Sequence, residues 1–249
     1  PLRRMALEHV TMHIPAGSFA ALVGPSGGGK STAGQLLARF WDVDSGSISI
    51  GGKDIRDYST KALMNTVAFV FQDTYIFAES VYDNIAMHQN VTQEAVEYAA
   101  KAARCHDFIQ ALPEGYHTKL GDGGHKLSGG EAQRIAIARA ILKNAPIVVL
   151  DEAMAFTDAE NELALREGMA ELLKGKTVLM IAHRLYSIQD ADMIFVLENG
   201  RLKESGTHKD LLQKHGLYAH LWDIQNETES WRMKGGTAHV SDNPAIHLP

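Results

Sequence analysis

One short segment constrains the fold of this chain more than any other. Residues 24–31 (Gly-Pro-Ser-Gly-Gly-Gly-Lys-Ser) match the pattern G-x-x-x-x-G-K-[ST], between an apolar run at Ser18–Val23 and a helical pattern at Ser31–Phe40. A strand, a glycine-rich loop and a helix in that order surround a phosphate chain with backbone N–H groups. We therefore predict that nucleotide phosphates bind at this loop, formed by Gly24, Pro25, Ser26, Gly27, Gly28, Gly29, Lys30, Ser31 and Thr32.

Two carboxylates later in the chain fit the same site. The Lys30 ammonium can reach the β- and γ-phosphates and the Ser31 hydroxyl can bind Mg²⁺. Asp151 follows the buried-strand pattern of Ile147–Leu150, and ligands of a parallel sheet gather where its strands end, so Asp151 is a second candidate Mg²⁺ ligand. Glu152 is the candidate general base for an attacking water. An isolated Asp-Glu pair is more often a solvated helix cap, and the upstream loop argues against that interpretation.

The segment Leu127-Ser-Gly-Gly-Glu131 precedes a strong helical pattern. Ser128 and Glu131 have the spacing of a capping box, which alone indicates only a helix start. However, Gly129 and Gly130 are poor helix formers, at a cost of about 1 kcal/mol each. Their exposed backbone N–H groups at a helix N-terminus suit an anion, so we predict a second phosphate-binding surface.

Strand and helix patterns alternate along the chain, which predicts an α/β fold around a mostly parallel sheet. Val67–Phe71 and Thr177–Ile181 are predicted buried strands, and Asn199-Gly200 predicts a type I′ hairpin turn. Thr92 is predicted to cap one long helix that ends before Pro113. Polar residues, glycines and Pro244 dominate residues 226–249, for which we expect a mobile tail.

Composition narrows the possible partners. The chain has 24 Lys and Arg against 30 Asp and Glu, a net charge of −6, which argues against nucleic acid as a partner. A single cysteine, Cys105, excludes an internal disulfide and fits a reducing compartment. No stretch is apolar over the roughly 20 residues of a membrane span.

The order of these motifs resembles the nucleotide-binding domain of ATP-binding cassette transporters. Gln72 in Phe-Val-Phe-Gln-Asp is similar to the Q-loop glutamine, Asp158 to the D-loop aspartate, and His183 in Met-Ile-Ala-His-Arg to the switch histidine. The resemblance implies a P-loop NTPase fold with an antiparallel β subdomain and an inserted α-helical signature subdomain. It implies a domain over residues 1–225, with a core at 1–73 and 143–225 and the helical subdomain at about 74–142.

The resemblance also implies cofactors, residue roles and partners. ATP and Mg²⁺ would be bound. The metal ligands would be Ser31, Gln72 and Asp151. The catalytic residues would be Glu152, His183 and Gln72. Two domains would pair head to tail, homo- or heterodimeric, so that the partner contributes Ser128, Gly129, Gly130 and Asp158 to each ATP. The Gln72 context and residues 121–124 (Gly-Asp-Gly-Gly) resemble exporter-fold transporters, whose transmembrane domain is N-terminal in the same chain.

Further details follow from the same resemblance. The strings at residues 39–42 and 156–162, with Trp231-Arg232, resemble a bacterial siderophore (yersiniabactin-type) subgroup. We expect a piece of a longer protein, itself soluble, at the cytoplasmic face of a bacterial inner or plasma membrane. The aromatic residue that stacks on adenine in the family is expected upstream of Pro1. The cargo and the direction of transport are left open.

Two other kinds of cassette ATPase remain to be weighed. Soluble repair and chromosome types insert a long coiled coil before the signature, but Ser128 lies only 97 residues after Ser31, with glycine and proline throughout. Translation types carry two cassettes and basic linkers, whereas this chain has one cassette and an acidic balance. The presence of Ser128, Glu152 and His183 argues against a cassette without hydrolytic activity. The transporter is therefore the favoured hypothesis.

Overall fold

The computed structural model describes residues 5–71, 73–151 and 159–235. Its main sheet has six strands in the order β4-β5-β6-β1-β7-β8. All neighbours pair in parallel except β7 and β8, which are antiparallel. The predicted α/β fold around a mostly parallel sheet is therefore confirmed. The strands of this sheet are β1 Phe19–Val23, β4 Val67–Val70, β5 Ile147–Asp151, β6 Thr177–Ile181, β7 Met193–Glu198 and β8 Arg201–Gly206.

Nine helices and a small hairpin complete the described part of the chain. The hairpin pairs β2 Ser49–Ile50 with β3 Lys53–Asp54 in antiparallel register across Gly51-Gly52. The sequence pattern predicts a strand over Gly46–Ile50, of which β2 covers only the last two residues. The helices are α1 Lys30–Leu37, α2 Thr60–Thr66, α3 Val81–Ala86, α4 Gln93–Ala102, α5 His106–Gln110, α6 Gly129–Lys143, α7 Ala159–Leu173, α8 His208–Gln213 and α9 Leu217–Gly235.

The two faces of the sheet bury separate hydrophobic cores. Successive side chains of a strand point to opposite faces, so Ala20 and Leu22 of β1 pack with Ala33 of α1 on one face. Ala21 and Val23 pack on the other face with residues of α3, α4, α6, α7 and α9. Burial on both faces explains the continuous apolar runs of these strands, which show no polar alternation. This packing on both faces holds the strands in place within the sheet.

The predicted long helix from Thr92 is wrong in its length. Thr92 does cap a helix, with its hydroxyl accepting from the Ala95 N–H, but α4 ends at Ala102 and α5 begins at His106. Between them Arg104 adopts the left-handed conformation, with φ of 56°. The bend buries both Cys105 and Ile109 in the larger core, which a straight helix would not do. Tertiary packing therefore overrides the continuous helical pattern.

The end of the chain also differs from the sequence-based expectation. Helix α9 runs from Leu217 to Gly235, ten residues into the segment in which a tail was expected from Asn226. Residues 236–249 lie outside the described part. Within the described part, no helix combines the length and apolar character needed to cross a bilayer. The subdomain boundaries at residues 73 and 143 stay a prediction.

Candidate nucleotide site

The strand order gathers the predicted site residues at one edge of the sheet. Strands β5, β6 and β1 are parallel neighbours, so their carboxyl ends lie side by side. Asp151 is the last residue of β5 and pairs with Ile181 of β6, two residues before His183, while Gly24 follows β1 directly. The edge of a parallel sheet at its carboxyl ends is where ligands bind in α/β folds.

The glycine-rich loop encloses a cavity of about 330 Å³. Two residues far apart in sequence, Ala6 and His183, also line it. Sequence analysis did not predict Ala6, because an alanine in an irregular segment carries no chemical signal. From the loop and α1, the lining residues are Ser26, Gly27, Gly28, Gly29, Lys30, Ser31 and Thr32.

Gly24 and Pro25 were predicted to bind phosphate with the rest of the loop. In the structure they do not line the cavity and instead contact the Lys30 side chain. Their carbonyl oxygens accept hydrogen bonds from the Lys30 ammonium at 2.8 and 3.0 Å. Lys30 is only 4% exposed, so its charge is held beneath the loop by these carbonyls. A cation in this position attracts phosphate oxygens while the carbonyls fix its direction.

The start of α1 suits an anion as the sequence predicted. Gly29 is the cap residue, in the left-handed conformation with φ of 99°, and no side chain caps the first turn. The N–H groups of a helix start need partners, and phosphate oxygens supply them. The loop, Lys30 and the helix start therefore fit the phosphates of ATP.

Asp151 does not line the cavity, but its carboxyl lies near two side chains that do, Lys30 and His183. Burial raises the pKa of its carboxyl above the usual value, while the nearby His183 and Lys30 draw that pKa down. An ionised carboxylate at a half-buried position is stabilised by a cation, and Mg²⁺ prefers one or two carboxylates together with hydroxyl, phosphate and water oxygens. Asp151 and the Ser31 hydroxyl are the described oxygen donors that fit this ion.

The start of α6 has the predicted capping box. The Ser128 hydroxyl accepts from the Glu131 N–H at 3.3 Å, and the Glu131 carboxylate accepts from the Ser128 N–H at 2.8 Å. Ser128 and Gly129 are exposed. Gly130 is buried, and a Cβ there would lie 3.1 Å from Cγ of Asn161 on α7. The glycine therefore permits close packing of two helices, in addition to exposing a backbone N–H.

The structure does not bring all the predicted residues together. Ser128, Gly129 and Gly130 do not line the described cavity, although the sequence motifs assign them to ATP. Gln72, Glu152 and Asp158 lie outside the described residues. The helix start at Ser128 and the loop at residues 24–32 are thus two separate surfaces of one chain, each of which the sequence predicts to bind an anion.

Two side chains of α6 that sequence reasoning missed connect this helix to the segment around Gln72. The Gln133 amide accepts from the Thr74 hydroxyl at 2.7 Å and donates to the Phe71 carbonyl at 3.3 Å. The Arg139 guanidinium donates to the Tyr75 carbonyl at 2.7 Å and packs over the ring of Phe77. The sequence offered one signal for Gln133. It lies on the apolar face of a predicted helix, and a buried amide needs hydrogen-bond partners.

A further contact fixes the turn that carries His183. The side-chain amide of Gln225, on α9, donates to the His183 carbonyl at 2.6 Å and accepts from the Leu185 N–H at 2.8 Å. The imidazole of His183 remains exposed at the cavity. Helix α9 thus holds the backbone of the turn, while His183 lines the cavity.

Comparisons with known proteins identify the family of this chain. The family described as ABC transporter matches residues 7–155. The putative multidrug export ATP-binding/permease protein YgaD of Bacillus subtilis is 48% identical over 221 residues, which cover 88% of this chain and 38% of that protein. The ATP-dependent lipid A-core flippase of Vibrio parahaemolyticus is 48% identical over 222 residues, again 88% of this chain and 38% of that protein.

A solved structure gives the same result for the fold. A bacterial Atm1-family ABC exporter with ATP bound superimposes with a TM-score of 0.84 at 41% identity, covering 97% of this chain and 41% of that one. The chain spans less than half the length of these relatives. Its phosphate-binding loop, its strand-end carboxylate and the family match over more than half of its residues lead to one conclusion: the chain belongs to the ABC transporter family, as an ATP-binding and ATP-hydrolysing domain.

Proposed function

We propose that this domain works as one of a head-to-tail pair and drives a solute across a membrane. The observation that carries the proposal is the separation, on one chain, of the two surfaces that the sequence predicts to bind anions. The loop at residues 24–32 lines a cavity, and the exposed helix start at Ser128 lies outside it. A second copy turned head to tail supplies Ser128, Gly129, Gly130 and Asp158 to the first copy's ATP, and receives the same groups in return.

Within one chain, the loop side of the site binds and positions the substrate. Lys30 and the N–H groups of the loop would hold the β- and γ-phosphates, while Ser31, Asp151 and Gln72 would hold Mg²⁺. The metal ion would neutralise phosphate charge when bound. Glu152 accepts the proton of the attacking water, and His183 and Gln72 orient that water and the γ-phosphate.

The partner in the membrane is proposed to be a transmembrane domain N-terminal in the same full-length chain. Three aromatic side chains that follow β4 are exposed: Phe71 by 43%, Tyr75 by 70% and Phe77 by 36%. The turn at residues 121–124 packs against the same segment, since a Cβ on Gly121 would lie 3.3 Å from Cα of Ala78. Clustered exposed aromatic residues mark a protein-binding surface, and this one suits a membrane domain's apolar loops.

The relatives' names bear on the class of cargo. One is named as a multidrug exporter and another as a lipid A-core flippase, so we propose an amphipathic or apolar cargo moved by export. The resemblance to a siderophore subgroup stays a prediction. The domain would then act at the cytoplasmic face of the membrane, where ATP is available.

Replacing Glu152 tests the hydrolytic assignment. Glu152→Gln keeps the size and hydrogen bonding of the side chain but removes the base, so ATP should bind normally while turnover falls by about 10²-fold or more. ATP-bound dimer should accumulate, measured by size-exclusion chromatography with ATP and Mg²⁺. Glu114→Gln, at an exposed position, is the matched control and should keep wild-type turnover. Near-normal turnover in Glu152→Gln would assign the base to another residue.

A further inference from the structure

The turn of the β7–β8 hairpin touches the phosphate-binding loop through backbone alone. Asn199 and Gly200 form this turn with φ of 50° and 75°. The Gly200 N–H donates to the Gly28 carbonyl at 3.1 Å, and the Gly200 carbonyl accepts from the Glu8 N–H at 2.7 Å. The Arg201 guanidinium pairs with the Glu8 carboxylate at 2.9 Å. The turn therefore lies between the loop and the segment around Glu8, hydrogen-bonded to both.

The three segments are packed too closely for side chains to fit between them. A Cβ on Gly24 would lie 1.9 Å from the Leu197 carbonyl oxygen, and one on Gly28 would lie 2.9 Å from the same oxygen. A Cβ on Gly200 would lie 2.6 Å from the Ala6 carbonyl oxygen. Real Cβ atoms do not approach backbone this closely, so the glycines of the loop are required partly by the hairpin behind it.

The contact at Gly28 acts on the peptide that faces the ligand. The carbonyl of Gly28 and the N–H of Gly29 belong to one planar trans peptide, in which the two groups point in opposite directions. The hydrogen bond from Gly200 holds that carbonyl on the hairpin side. The Gly29 N–H is thereby turned to the other side of the loop, and Gly29 lines the cavity.

We propose that Gly200 is a positioning residue for ATP, which fixes the peptide between Gly28 and Gly29 so that its N–H meets the phosphates. The inference rests on the proposed phosphate binding by the loop and extends it to a turn about 170 residues further along the chain. The turn has no side chain in the cavity and acts through the loop backbone. Its effect should therefore appear as a change in the affinity for the phosphates.

The hairpin β2–β3 offers a matched control within the same chain. Gly52 occupies the second position of that two-residue turn, as Gly200 does in its own, with a φ of 80° against 75°. A Cβ on Gly52 would have nothing within 4 Å, whereas one on Gly200 would meet Ala6. Alanine at either position suffers the same left-handed strain, so the difference between the two variants reports the displacement of the Gly200 turn from its close packing against Ala6 and the loop.

The experiment measures ATP binding at fixed Mg²⁺ for the wild type, Gly200→Ala and Gly52→Ala, together with thermal unfolding. We expect the ATP Kd of Gly200→Ala to rise about tenfold or more, as for a lost hydrogen bond with a displaced phosphate contact. Gly52→Ala should keep the wild-type Kd. Turnover at saturating ATP should stay near the wild-type value in Gly52→Ala. Equal Kd values for two folded variants would overturn the proposal.

A measurement on the unmodified protein covers the case in which Gly200→Ala does not fold. Because binding and local opening are thermodynamically linked, ATP should slow hydrogen exchange at the Gly200 amide. The Ile55 amide, which donates to the Ile48 carbonyl at 2.8 Å in the other hairpin, is the control for a general stabilising effect. An equal change at both amides would contradict the proposal. Failure of the wild type to bind ATP at all would instead contradict the proposed function.

Discussion

At the residue scale, Asp151 is a proposed Mg²⁺ ligand whose negative charge is costly to bury in the folded domain. It closes a strand that is otherwise apolar, and burial raises the pKa of its carboxyl while His183 and Lys30 oppose the rise. Because the folded state raises this pKa, ionisation of Asp151 at neutral pH opposes folding. The cost is fully present above the raised pKa and is relieved as the pH falls through it. Functional sites commonly carry such a cost, and bound Mg²⁺ offsets it.

We predict that Asp151→Asn stabilises the domain in buffer free of Mg²⁺ and nucleotide at neutral pH. For a chain of this size, each 1 kcal/mol gained raises Tm by about 2–4 °C. The gain should shrink on acidification, since the wild-type carboxyl then takes up its proton. Thermal unfolding monitored by circular dichroism at several pH values measures both effects. The exposed Asp122→Asn is the control, and a lower Tm for Asp151→Asn at neutral pH would contradict the prediction.

At this scale, the sequence predicted residues whose side chains could bind a ligand. It did not predict buried residues that hold other segments in place. Lys30, Ser31 and Asp151 were predicted because charged and hydroxyl groups stand out beside strand ends, and His183 was predicted from its similarity to the switch histidine of the family. Gln133 was not, although it is 2% exposed and joins α6 to Thr74. Its partner lies 59 residues away in sequence, and no local pattern reports such a contact.

At the element scale, the start of α6 combines a structural and a functional use of the same serine. The Ser128 capping box stabilises the helix whether or not ATP is present. Helix α8 begins with a second capping box, formed by Thr207 and Asp210, neither of which is a predicted site residue. The chain therefore contains one cap that is proposed to bind phosphate and one that is not, which allows the two contributions of Ser128 to be separated.

We predict that Ser128→Ala and Thr207→Ala lose similar stability and differ in activity. Each loses a helix cap, which costs about 1 kcal/mol of the free energy of unfolding. Only Ser128→Ala should also lose a hydrogen bond to a phosphate, so its turnover should fall about tenfold or more. Chemical denaturation and a phosphate-release assay measure the two effects. Equal turnover in both variants would limit Ser128 to a structural role.

The break between α4 and α5 shows a limit of pattern reasoning for elements. The helix-forming residues after Thr92 continue past Ala102 without a glycine or proline, so the sequence predicts one helix. The chain instead bends at Arg104, where Ala103 packs against α7 so closely that a Cβ on Gly168 would lie 3.0 Å from its carbonyl oxygen. The neighbouring helix, absent from any local window, decides where α4 ends.

At the scale of the whole molecule, the site is half of a proposed composite. One face of the chain carries the loop cavity, and the exposed start of α6 lies elsewhere. In a head-to-tail pair, the loop cavity of each copy would face the α6 start of the other. The two resulting sites would be related by two-fold symmetry. Hydrolysis should then depend on protein concentration, since a single chain holds only half of each site.

Mixing two inactive variants tests this arrangement. A Lys30→Ala chain lacks the loop cation, and a Ser128→Arg chain lacks the partner's contribution. In their heterodimer one site carries both defects and the other carries none, so each heterodimer should have about half of the turnover of a wild-type dimer. In an equal mixture that pairs at random, about half of the dimers are heterodimers, so the mixture should recover about a quarter of the wild-type turnover. Turnover is measured against the mixing ratio, with each variant alone as the control. No recovery by two folded, dimerising variants would favour a site built within one chain.

The sequence by itself determined the local elements of this protein. Glycine spacing sets the loop at residues 24–31, apolar runs set the buried strands, Asn199-Gly200 sets its turn, and Ser128 with Glu131 sets the start of α6. These features depend on backbone conformation and on hydrogen bonds between residues three or four apart. Such interactions are visible in a short window of sequence.

Only the tertiary structure decided which of these elements meet. The order β4-β5-β6-β1 brings Asp151, His183 and the loop to one edge, and the β7–β8 turn comes to rest behind Gly28. Gln225 and Gln133 hold the segments around the site from helices far away in sequence. The physical reason is that burial and close packing act between surfaces. Contacts between surfaces depend on the path of the whole chain, which no single segment encodes.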